Sequence, residues 1–208
     1  SAAFETVIGN ILSGLFNDMK ITPVTIAQIG QYSENEYFGK PCGLMDQMAC
    51  SVGGLISIDF LDVKNPKVEK VDVDFGAFEY SLCIVDTKGS HADLTDEYAA
   101  IPNEMKALAA FFQKSVLREV SKEAFYQNLS GAREELGDRA VLRGIHFYEE
   151  EDRVDAQVLA LKEHRFLDFL KEVKASGDSS YKYLQNVYCN TDIKNQSVSI
   201  GLGLSDVI

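Results

Sequence analysis

The spacing of apolar residues changes period twice along this 208-residue chain, from helical to alternating and back. The first helical stretch starts at once. Ser1-Ala2-Ala3-Phe4-Glu5 runs into Val7, Ile8, Ile11, Leu12, Leu15 and Phe16, the stripe of an amphipathic helix. Thr22-Pro23 then reads as an N-cap followed by Pro at the first helical position. The helix it opens carries Val24, Ile26, Ala27 and Ile29 and continues towards Asn35. Residues 38–43 form a breaker-rich loop, and 44–49 a short helix that opens straight from it. Residues 55–60, 68–73 and 80–85 alternate as three strands of an antiparallel sheet. Beyond Asp86 the period is helical again, with helices expected at 95–114, 122–129, 138–161, 164–175 and 196–208. Pro102 should kink the first of these or mark its true start. Ser121 reads as a cap, and 177–180 as a loop. The chain opens and closes inside helices, so it is expected to be cut short at both ends.

Composition removes several functions. Hydrophobic residues are 46% and charged residues 25%, ordinary for a soluble globular protein. No apolar run approaches the roughly 18 residues that span a bilayer, and no leader precedes the first helix. A cytoplasmic protein without membrane contact is expected. The net charge of −12 argues against nucleic acid and anionic membrane surfaces. It leaves a phosphorylated ligand open, because a helix N-terminus and a metal ion hold phosphate without net basicity. Cys42, Cys50, Cys83 and Cys189 form no C-x-x-C pair and have no His at ligand spacing. They are expected to be reduced and mostly buried, as small apolar residues. His146 and His164 read as solvated or locally paired, and 149–152 as a solvated acidic helix face.

The segment Gly39-Lys40-Pro41-Cys42-Gly43-Leu44-Met45-Asp46-Gln47 carries the chemistry. Pro and Gly shape a tight bend that ends at a helix, with Asp46 in its first turn. A carboxylate there is kept ionised by the helix dipole. Facing a pocket, it accepts a proton or holds a metal. Facing water, it is only a first-turn Asp, and pattern alone leaves both readings open.

With every fixed position filled, this segment resembles the Gly-x-Pro-Cys-Gly-(Ile/Leu)-Met-Asp-Gln signature of galactokinases, in the GHMP family of small-molecule kinases. The resemblance implies that Asp46 is the general base beside the anomeric hydroxyl of a sugar, with Gly43 lining the sugar pocket. Ser1-Ala2-Ala3 resembles the tail of the family's Gly-Leu-Ser-Ser-Ser-Ala-Ala phosphate loop. Ser1 and Ala2 are therefore expected at the ATP phosphates. Glu34 is similar to the family's Mg²⁺ ligand, with Ser1 as its partner ligand. Tyr98, in Asp96-Glu97-Tyr98, matches the Tyr that hydrogen-bonds the sugar.

By that resemblance the fold is α+β. Residues 1–77 would be the back half of a lobe similar to ribosomal protein S5 domain 2. Residues 78–208 would be most of a ferredoxin-like C-terminal lobe. The implied activity is phosphorylation of galactose at its anomeric hydroxyl, with ATP and Mg²⁺. Two stretches depart from the family. Ala99 to Glu104 replaces a basic run, and Ser90-His91 stands where Arg or Lys is common. These keep arabinose, galacturonate and N-acetylgalactosamine open as substrates, beside a non-catalytic, sugar-sensing relative. The family's first motif and its Gly-Gly-Gly-Phe-Gly-Gly motif are not in the chain, so the fragment alone is expected to be inactive. Surface uncovered by truncation is expected to drive self-association.

Overall fold

A computed structural model describes residues 1–39, 42–89, 95–190 and 192–207. These fall into two compact units, Ser1–Val73 and Asp74–Ile208. Pro41 of the expected bend and the Ser90-His91 step lie outside the described residues.

The first unit is built from three helices and a hairpin. Helix α1 spans Ala2–Asn17 and α2 spans Pro23–Tyr32. The expected cap of α2 is in place, for Thr22 Oγ1 accepts from Thr25 N–H at 3.2 Å. The helix runs on into a π-helical turn, Ser33–Tyr37. Helix α3, Met45–Val52, follows the loop. Strands β1 (Ile56–Asp59) and β2 (Lys67–Lys70) pair antiparallel, with Ile58 opposite Val68. Ala27, Leu44 and Met48 are buried between the helices and the hairpin, flanked by Val24, Val52, Ile56, Ile58 and Val68. Ser51 Oγ donates to Pro23 O at 2.7 Å and ties α3 to the start of α2.

Helix α1 packs by the face opposite to the expected one. Thr6 and Ser13 are its buried residues, whereas Phe4, Val7, Ile11, Leu12, Leu15 and Phe16 are exposed. The reason is backbone proximity. A Cβ on Gly9 would lie 2.7 Å from Ile26 Cγ2, so α1 meets α2 along a line of small residues. The apolar stripe stays outside this contact.

The second unit is helical among the described residues. Its helices are α4 (Thr95–Phe111), α5 (Lys122–Gln127), α6 (Leu129–Leu136), α7 (Asp138–Lys162), α8 (Phe166–Ser179) and α9 (Ser197–Ser205). Helix α4 continues on both sides of Pro102. The core gathers Leu108, Ala109, Leu117, Val120, Phe125, Ala132, Val141 and Tyr148. Tyr148 Oη donates to Val120 O at 2.9 Å, and burial pushes its pKa up to about 12. Gly144 has no room for a side chain, since a Cβ would sit 2.4 Å from Leu108 Cδ2. Beneath this core Arg143, 1% exposed, donates to Glu104 Oε2 at 2.8 Å and to Leu184 O at 3.1 Å. Arg139 Nε donates to the other oxygen of Glu104 at 2.9 Å.

Several expectations are corrected here. The expected third strand, 80–85, has no regular secondary structure and joins no described strand, and Leu82 and Ile84 are almost fully exposed. Alternation supplies a strand's faces, while a ladder also needs a partner edge. Residues 177–180 are not a loop. They close α8 and enter a second π turn, Ser180–Leu184. Packing overrides the local turn preference, because Ser179 is buried and its Oγ shares a hydrogen bond with His146 Nδ1 at 2.9 Å. His146 is thus buried and tied to a distant helix, and burial lowers its pKa. The acidic run on α7 is largely exposed, as expected, and its side chains are also paired. Lys122 pairs with Glu149 and Asp152, Arg118 with Glu151, and Ser176 Oγ donates to Glu150. The cysteines are free as expected, but only Cys189 is buried, while Cys50 and Cys83 are exposed. On α3 the inward positions go to Gln47 and Met48, which turns Cys50 outward.

Candidate functional site

The first unit encloses a cavity of about 690 Å³. Its walls come from the start of α1, the π turn after α2, and α3 with the loop leading into it. Ser1, Ala2, Glu34, Gly43 and Asp46 all line it. Five of the six residues singled out in the sequence are therefore brought together. The sixth, Tyr98, lies exposed on α4 in the second unit.

Each wall follows from local chemistry. Ser1 is the N-cap of α1, so the first N–H groups of that helix have no intrahelical acceptor and face the cavity end. Together with the helix dipole they suit an anion. The π turn carries Glu34 inward, where it is 8% exposed. Glu34 Oε1 lies 3.5 Å from the Ser1 amino nitrogen, and Glu5 Oε1 lies 3.2 Å from it. Asp46 is the second residue of α3, exposed and on the cavity wall, and Leu44 behind it is sunk in the core.

The donor set fits a hard cation shared with phosphate. Glu34 supplies a buried carboxylate and Ser1 a hydroxyl beside the same cavity. Among the described residues no cluster of three or more His, Cys, Asp or Glu side chains is placed to hold a metal ion. Mg²⁺ commonly takes only one or two protein carboxylates and completes its shell with phosphate and water.

Sequence reading missed the polar residues that hold the loop. Gln31, Asn35 and Gln47 all reach Cys42. Gln47 is 3% exposed, and its Oε1 is buried without a hydrogen-bond partner. Burial pushes the Cys42 thiol up, opposed by the Gln47 contact and reinforced by Glu34 and Glu5, so the thiol stays protonated. The available signal was spacing: Gln31 and Asn35 are one helical turn apart, on the face that meets the loop.

Residues 1–54 match the family described as GHMP kinases N terminal domain. The galactokinase of Actinobacillus pleuropneumoniae serotype 5b is 31% identical over 179 residues, 86% of this chain and 45% of that protein. The galactokinase of Glaesserella parasuis is 33% identical over 162 residues, 78% of this chain and 41% of that protein. The crystal structure of Lactococcus lactis galactokinase complexed with galactose superposes with a TM-score of 0.71 at 25% identity. That match covers 88% of this chain and 47% of the other. Residues 1–54 thus belong to the N-terminal domain of the GHMP kinases, and the two-stranded hairpin with surrounding helices matches a fragment of the galactokinase fold. Within that family the chain groups with the galactokinases. It spans about half the length of the curated relatives it matches. Among the described residues no helix is long and apolar enough to cross a membrane.

Proposed function

We propose that this chain is about half of a sugar 1-kinase that transfers the γ-phosphoryl group of ATP to the anomeric hydroxyl of galactose. One observation carries the reading: a helix N-terminus, a buried carboxylate and an exposed first-turn Asp line a single cavity. In this reading Ser1 and Ala2 hold the ATP phosphates through backbone N–H groups. Glu34 and the Ser1 hydroxyl hold Mg²⁺, which neutralises phosphate charge. Asp46 takes the proton of the C1 hydroxyl. That oxygen bonds to the γ-phosphorus as the bond to the ADP oxygen breaks. Gly43 leaves room for the sugar, and Tyr98 hydrogen-bonds it. The two units correspond to two partial lobes, with the boundary near residue 77. The reaction runs in the cytoplasm.

The test is a sugar panel on the full-length protein, with ³¹P detection of the product. A galactose 1-phosphate signal that depends on Mg²⁺ is expected. Equal turnover with arabinose, galacturonate or N-acetylgalactosamine would reassign the substrate. ATP binding with no turnover on any sugar would replace the kinase with a sugar sensor.

Phosphoryl transfer rests on positioning and charge stabilisation supplied by the whole site. The 208-residue chain alone is therefore expected to give no turnover above background. The exposed face of α1, with Leu15 70% and Phe16 80% exposed, is expected to make this chain self-associate. A concentration-independent monomer mass in light scattering would contradict that.

A further inference from the structure

The loop that delivers Asp46 carries two glycines among its described residues. Nothing lies within 4 Å of where a Cβ on Gly39 or Gly43 would point. Leu44 anchors its far end in the core. At the near end the hold is polar. Cys42 N–H donates to Asn35 Oδ1 at 2.8 Å. Cys42 O accepts from Gln31 Nε2 at 3.2 Å and from Asn35 Nδ2 at 3.5 Å. Cys42 Sγ accepts from Gln47 Nε2 at 3.5 Å. One side-chain amide thus takes both the donor and the acceptor of a backbone residue, as a neighbouring strand would. The π turn that carries Asn35 also carries Glu34, so one short segment sets both the buried carboxylate and the entry of the loop. Such turns recur at functional sites because the extra residue redirects the side chains that follow.

We propose that Asn35, assisted by Gln31, is a positioning residue. It clasps the backbone of Cys42 and thereby fixes where α3 begins and where Asp46 meets the cavity. The clasp stands on geometry alone. Its consequence for catalysis rests on the sugar-kinase reading of Asp46.

Two measurements separate these. In the 208-residue chain, Asn35→Ala is expected to speed amide exchange at Cys42 about tenfold, the worth of one hydrogen bond. Exchange at Ala27, in the α2 core, should be unchanged. Asn35→Asp keeps an acceptor for Cys42 N–H and should restore most of the protection. Gln31→Ala removes only one contact to the carbonyl and should give a smaller acceleration, which keeps the idea testable if Asn35→Ala does not fold. In the full-length protein Asn35→Ala is expected to lower kcat about 10²-fold, with the KM for ATP within twofold. Unchanged exchange at Cys42 overturns the clasp, whatever turnover does. Faster exchange with unchanged kcat overturns the positioning role. If Asp46→Asn is then also without effect, the failing claim is the base assignment and not the clasp.

Discussion

Asp46→Asn in the full-length protein is expected to lower kcat by about 10²- to 10⁴-fold, the usual contribution of a positioned general base. The substitution is nearly isosteric and removes only the charge and the proton-accepting strength. Asp46 is exposed in the first turn of α3 and supports no described core contact. Its loss should cost no more than about 1 kcal/mol of stability, the size of a charge–dipole interaction at a helix start. The pattern to look for is therefore split: turnover collapses while the melting temperature and ATP affinity hold. Steady-state kinetics beside a thermal melt give both halves. Turnover within threefold of the unsubstituted protein would remove Asp46 from the chemistry. A collapse of turnover together with unfolding would make it a structural residue.

The largest stability effect is expected in the second unit. Glu104→Ala strips both arginines of their shared carboxylate. Arg143 is 1% exposed, so it would be left as a buried charge with Leu184 O as its remaining acceptor among the described residues. Breaking a buried pair from one side costs about 3–5 kcal/mol. Glu104 itself is 24% exposed, which lets water reach the gap and puts the expected loss near the low end, about 3 kcal/mol. Arg139→Ala removes an exposed partner from the same carboxylate and should cost no more than about 1 kcal/mol. Urea denaturation of the three proteins measures the difference. Equal losses for Glu104→Ala and Arg139→Ala would show that Arg143 finds solvent or another acceptor. Glu104 thus helps to hold α4 against α7.

Much of this arrangement is legible without coordinates wherever a local rule acts. The Thr22-Pro23 start of α2 is one case, since cap and proline both act on residues within a turn. The hairpin is another, with Ile56 and Ile58 alternating in β1 and Ile58 paired to Val68 of β2. The approach of Ser1, Glu34 and Asp46 is legible only through the family resemblance, because no periodicity links positions 1, 34 and 46.

What the residues determine by themselves is therefore local: which stretches coil, where α2 is capped, and that a carboxylate opens α3. Contacts between distant segments belong to the tertiary structure. It turned the small residues of α1 inward against Ile26 and left its apolar stripe outside. It kept 177–180 helical by burying Ser179 against His146, and left 80–85 without a described partner strand. It also closed the amides of Gln31 and Asn35 on Cys42. The physical reason is common to all four. Helix and turn preferences are worth a few tenths of a kcal/mol per residue, whereas one close backbone approach or one buried hydrogen bond outweighs several of them.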